Sequence, residues 1–103
     1  MNFCLNKKER SIQTHRAVKN FKCVLGGNLQ GGVTLYKSKN GRRWKKFRSI
    51  TKQELYDSIL SIGDIFVTDE NNLLSSYYKI EVDNCEGDLC GIIYNVWEQK
   101  HEN

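Results

Sequence analysis

The sequence predicts an α+β domain: a small, mainly antiparallel sheet in the order β-β-β-α-β-β-β, with one amphipathic helix packed on it. Three observations carry that expectation. Short runs alternate apolar and polar residues, most regularly Tyr78, Ile80 and Val82 against Lys79, Glu81 and Asp83. Stretches rich in Gly, Asn and Asp separate these runs. A single capping box, Thr51-Lys52-Gln53-Glu54, opens the segment with helical apolar spacing.

A chain of 103 residues with 39% hydrophobic side chains and eleven aromatics is sized for one modest core. Residues 21–98 read as that domain, residues 1–20 as a basic N-terminal arm or short helix, and residues 99–103 as a tail. In the first twenty residues Leu5, Ile12, Ala17 and Val18 are too sparse for a continuous helical stripe, whereas Lys7, Lys8, Arg10, Arg16, Lys19 and, counting to the first strand, Lys22 suit an arm along a phosphate backbone.

Phe21 to Leu25 and Val33 to Lys37 read as the first two strands. The half-glycine segment 26–32 between them reads as a flexible hairpin or lid loop, because a phosphate-binding loop needs a following helix and a β-type segment follows instead. Next comes Ser38-Lys39-Asn40-Gly41-Arg42-Arg43-Trp44, an Asn-Gly turn between alternating segments, leading into a strand over 45–50. With Gly41 left-handed, Tyr36 is expected opposite Trp44 and Thr34 opposite Lys46. The S-x-N-G-x-x-W string resembles hairpins of Asp-box and discoidin-type β-proteins, in which a Ser and an Asp or Asn close the turn ahead of a packed Trp. That resemblance covers seven residues and implies a turn geometry, with nothing about sugar chemistry.

The helix begins at the Thr51 box, carries Leu55, Tyr56, Ile59 and Leu60 as its apolar stripe, and meets a left-handed cap at Gly63. Strands over Ile65 to Thr68, Tyr77 to Asp83 and Leu89 to Trp97 complete the set, the last being the most central.

Charge bears most directly on function. Residues 1–52 hold fourteen Lys and Arg against Glu9 alone, and residues 53–103 hold eleven Asp and Glu against Lys79 and Lys100. The halves carry +13 and −9 within a net +4. A basic surface attracts polyanions, while an acidic one suits a basic partner. In the hairpin, Lys37, Lys39, Arg42, Arg43, Lys45, Lys46 and Arg48 interleave with Tyr36, Trp44 and Phe47, as cations that neutralise phosphates interleave with rings that stack on bases, unless Trp44 or Phe47 packs in the core instead.

The expected function is therefore a non-enzymatic binding protein that contacts nucleic acid or a nucleoprotein complex through this ribbon. One alternative is a protein-binding inhibitor encoded by a phage or mobile element, of the anti-CRISPR or other host-factor type, using Glu81, Asp83, Glu86 and Asp88 against a basic host protein. A second is a small basic RNase toxin, for which His15 and His101 would be the acid–base pair. An acid followed by Glu98-Gln99-Lys100 only faintly echoes a nuclease site.

No cofactor is implied. Cys4, Cys23, Cys85 and Cys90 contain no C-x-x-C knuckle, which argues against a zinc site. Cys23 reads as a small buried hydrophobe, and Cys85 and Cys90 straddle a turn that an oxidising compartment would let them bridge. With neither a signal-peptide pattern nor an apolar run of about 20 residues, a cytoplasmic location without membrane contact is expected.

Overall fold

Alternation decides which residues meet. The computed structural model describes residues 1–61, 63–69, 74–83 and 86–96. It contains β1 (Asn2–Leu5), β2 (Ser11–Gln13), β3 (Lys22–Gly27), β4 (Val33–Ser38), β5 (Lys45–Ile50), α1 (Lys52–Ser61), β6 (Ile65–Thr68), β7 (Tyr77–Val82) and β8 (Leu89–Ile93). The fold is mainly antiparallel with one short helix, but the strands form two sheets rather than one: β1-β8-β3-β6 and β2-β7-β4-β5.

Each sheet turns one face inward. Phe3 and Leu5, Cys23 and Leu25, Ile65 and Val67, Leu89 and Ile93 come from the first; Val33 and Leu35, Tyr78, Ile80 and Val82 come from the second. All belong to one buried cluster. The physical reason for two layers is coverage. A single sheet would have left its apolar face to one ten-residue helix, whereas two sheets cover each other.

Among the described strands, only β4 and β5 are joined as a hairpin between sheet neighbours. Every other connection crosses from one sheet to the other, including the glycine-rich segment, which is a crossover and not the expected hairpin loop.

Residues 1–20, expected as an arm or short helix, instead supply two strands. Phe3 and Leu5 point inward and Asn2 and Cys4 outward, a period-two pattern that pairs β1 with β8. β2 lies along β7, and Val18 bridges to Ser76. The last strand ends at Ile93, short of Trp97, in a turn where Asn95 takes φ 66°.

The helix starts as its box dictates. Thr51 Oγ1 accepts from the Glu54 amide at 3.1 Å, and Glu54 Oε1 accepts from the Thr51 amide at 2.9 Å. The bond from the Thr51 amide, followed by the Thr51 hydroxyl, holds the Glu54 carboxyl below its ordinary range. Gly63 takes φ 99° past the last turn.

The expected packing of a full apolar stripe is not what is found. Leu55 is buried, yet Tyr56 and Leu60 are 52% and 68% exposed; the Ile59 side chain lies outside the described set. α1 spans from edge strand β5 of one sheet to edge strand β6 of the other, so only one side of its first turns reaches the core. Thr51→Ala is expected to cost about 1 kcal/mol, and more than Lys52→Ala. Equal melting temperatures for the two variants would show that the box does not hold the helix.

Candidate nucleic-acid interface

The hairpin turn is organised by side chains of the string that marked it. Ser38 Oγ accepts from the amides of Asn40 (3.2 Å) and Gly41 (2.9 Å). Asn40 Oδ1 accepts from the amides of Arg42 (2.8 Å) and Arg43 (3.0 Å), and from Ser38 Oγ at 3.0 Å. Gly41 sits at φ 78°, facing the Tyr77 ring. The turn backbone is thereby satisfied internally, which leaves the Arg42 and Arg43 side chains exposed.

The register beyond the turn differs from expectation. Tyr36 lies opposite Lys46 and Thr34 opposite Ser49, with a register shift between Leu35 and Tyr36. Phe47 is the extra residue of this bulge, and it packs edge-on against Phe21 and Tyr78. The apolar ring is drawn into the core, so the pairing slips around it.

Trp44 still reaches Tyr36 indirectly. Lys79 Nζ lies 5.0 Å from the Tyr36 ring centroid and 4.8 Å from that of Trp44, a cation held between two half-buried aromatics on the outer face of the second sheet. Tyr36 Oη donates to Glu81 Oε1 at 3.2 Å. Burial first, then this bond, raises the tyrosine pKa above its usual value.

The nine residues proposed for nucleic acid do not share one surface. Lys37 is drawn to the inner side, where its Nζ is 2.8 Å from Asp69 Oδ2 and 5.9 Å from the Phe47 centroid. Asp69 Oδ2 also accepts from Tyr78 Oη at 2.7 Å. Burial, followed by that bond, pushes the Tyr78 pKa up. Arg48 pairs opposite inward-facing Leu35 and acts electrostatically on Cys23 and Glu54, so it belongs to the β5 edge beside the helix. Lys39, Arg42, Arg43, Lys45 and Lys46 remain exposed at or beside the turn.

The N-terminal cations, expected on a separate arm, are in part brought by the fold to the same end as the ribbon. Thr14 donates its amide to Tyr78 O, and Val18 and Ser38 both flank the start of β7. The segment 14–22, with Arg16, Lys19 and Lys22, therefore ends beside the hairpin turn. At this turn end, nine Lys and Arg face the single described carboxylate of Asp69. The opposite, helix end holds Asp57, Asp64, Asp83, Glu86 and Asp88 along with Glu9 and Glu54, against Lys7, Lys8, Arg10, Lys52 and the nearby Arg48.

The four acids proposed for a protein partner are likewise divided. Glu81 lies on the second sheet's outer face, bound to Tyr36. At the helix end, Asp83 Oδ2 accepts from the Gly32 amide (3.1 Å), Glu86 pairs with Lys7 (3.2 Å), and Asp88 accepts from Asn6 Nδ2 (3.4 Å). The sequence halves interleave because β7 lies between β2 and β4, and β8 between β1 and β3.

Other candidates fall away from this surface. The amides of Asn28 and Gln30 donate to Asp88 O and Glu86 O, so the glycine-rich segment does not present them to a phosphate. His15 is exposed in the β2–β3 connection; His101, Glu98, Lys100 and Cys85 lie outside the described residues. Cys90 pairs with Cys4, not Cys85, across directly opposed positions of β1 and β8, a pairing that requires residues 2–5 to be a strand and not an arm. Cys23 is free and buried, and burial pushes its pKa up to about 12 against a smaller lowering by Arg48. Among the described residues, no three His, Cys, Asp or Glu side chains converge on a metal-sized site, and no helix is long and apolar enough to cross a membrane. Compared with family models, curated proteins and solved structures, the chain finds no match in any of the three.

Proposed function

We propose that this protein is a non-enzymatic binder of nucleic acid or of a nucleoprotein complex, and that the basic turn end is its contact surface. One observation carries the reading. Arg42 and Arg43 on an internally satisfied turn, Lys39, Lys45 and Lys46 beside it, Arg16 and Lys19 from the neighbouring connection and Lys22 at the start of β3 gather exposed cations at one end of the two sheets. Trp44 and Tyr36, flanking Lys79, add aromatic surface next to it. Clustered cations bind phosphates by releasing condensed counterions, and adjoining rings offer stacking to exposed bases. Lys37 and Arg48 are outside this surface.

The test is anisotropy titration of labelled duplex and single strands at graded salt. Affinity is expected to fall with a slope of about 0.9 per duplex phosphate neutralised. Changing Arg42, Arg43, Lys45 and Lys46 to Gln should weaken binding and flatten the slope while the melting curve is retained. Changing Glu81, Asp83, Glu86 and Asp88 to their amides should leave binding equal or stronger. Absence of binding at low salt, where attraction is least screened, would defeat the proposal.

A further inference from the structure

The outer face of the β1-β8-β3-β6 sheet carries an exposed apolar row that no other described element covers. Its middle row is Val24, Phe66 and Ile92, aligned across three strands, with Phe66 62% and Ile92 40% exposed. Gly26 adds no side chain, so the face sinks into an open trough of about 760 Å³, to which the Cys4–Cys90 disulfide and Tyr94 also contribute. Exposed apolar patches of this kind mark interaction surfaces.

Charge is confined to the two ends of the face. Asp64 stands beside Gly26 at the helix end, and Lys22 lies at the turn end with its Nζ 5.9 Å from the Tyr94 centroid. Neither is ion-paired among the described residues.

The geometry points to this face as the contact between two copies of the chain, related by a two-fold axis running across the strands through the Val24, Phe66 and Ile92 row. Rotation about that axis lays the apolar row on itself and reverses the strand direction in the second copy. Lys22 of each copy then approaches the Asp64 end of the other, and each basic turn end lies beside an acidic helix end. A two-fold interface must be complementary to itself, and this face is. A partner of uniform charge would match one end of the trough and oppose the other.

Four strands about 4.8 Å apart and five residues at about 3.4 Å give a face of about 19 by 17 Å. That is small against the roughly 800 Å² per partner of a stable complex, so the dimer is a concentration-dependent one. The outer face of the second sheet stays free in it, Lys22 is the one cation of each basic end that the contact engages, and the inference stands independently of what the remaining cations bind.

Sedimentation equilibrium of the full chain from micromolar to millimolar at low salt tests it. The average mass is expected to rise with concentration from 12.0 kDa toward twice that value. Phe66→Glu, at an exposed position, should remain monomeric with an unchanged near-ultraviolet spectrum, and Ile92→Lys provides the same loss if that variant fails to fold. Lys22→Glu and Asp64→Lys should each weaken association, and the double reversal should restore it. A monomer at every concentration, association that survives Phe66→Glu and Ile92→Lys, or a double reversal that restores nothing would each overturn the inference.

Discussion

Asp69→Ala is expected to remove about 3 kcal/mol of stability, a large share of the roughly 5–15 kcal/mol typical of a whole domain. The Asp69 carboxylate is buried and takes two donors on one oxygen, Tyr78 Oη at 2.7 Å and Lys37 Nζ at 2.8 Å. Tyr78 is fully buried and stacked on Phe21 with ring centroids 4.0 Å apart, so its hydroxyl, deprived of the carboxylate and left with Ser76 alone as a side-chain partner among the described residues, could not turn to water without breaking that stack. An unsatisfied buried donor costs about 1–3 kcal/mol. Loss of the ion pair adds less, since the Lys37 side chain is 33% exposed and can partly rehydrate. Lys37→Ala should therefore be the milder variant, and Asp69→Asn, which keeps an acceptor, should fall between the two. Urea unfolding of the three proteins checks the order; an Asp69→Ala no weaker than Lys37→Ala would mean that Tyr78 does not depend on this acceptor.

Gly91→Ala is expected to be at least as damaging, by about 3 kcal/mol or more, or to prevent folding. Gly91 lies in β8 between Phe3 of β1 and Leu25 of β3. An added methyl would overlap the Val24 carbonyl oxygen and press on the Phe3 ring at 3.0 Å. The obstructing atom belongs to the backbone of a central strand, so relief requires moving a ladder rather than a rotamer. Gly63→Ala supplies the comparison: its φ of 99° disfavours a side chain, yet nothing lies within 4 Å of the added carbon. That variant should lose only about 1–2 kcal/mol of backbone preference. Soluble yield and thermal melts separate the two, and a Gly91→Ala that melts as high as Gly63→Ala would contradict the overlap.

Local rules made much of this fold legible. Tyr78, Ile80 and Val82 announced a strand by simple alternation, and Thr51 with Glu54 announced the helix because both partners of the cap lie within four residues. Ser38, Asn40 and Gly41 fixed their turn for the same reason. What escaped depended on distant residues. β1 has only two inward positions, and its reason for being a strand lies in β8, so Phe3 and Leu5 read alone looked like an arm. The bulge at Phe47 follows from Phe21 and Tyr78, which no spacing within the hairpin encodes. At the candidate interface, the turn and the exposed Arg42 and Arg43 were readable locally. The capture of Lys37 by Asp69 and the arrival of Arg16, Lys19 and Lys22 beside the turn were not. Charge order along the chain was a poor guide to charge in space because β8 is inserted between β1 and β3, and β7 between β2 and β4.

The near-absence of hairpins sets the order in which the chain can assemble. β4 and β5 can meet after closing a short turn, whereas β1 precedes all the other strands and must wait for β8, which follows them; the Cys4–Cys90 bond spans 86 positions. Closing so long a loop brings an entropic penalty before any contact repays it, and chains dominated by remote pairings fold slowly. The 39–44 turn is thus the natural nucleus and the docking of β1 the natural final event. Until then, the edge of β8 that β1 will cover stays open to any other extended segment, which makes the unfinished chain more prone to mispairing than the finished one.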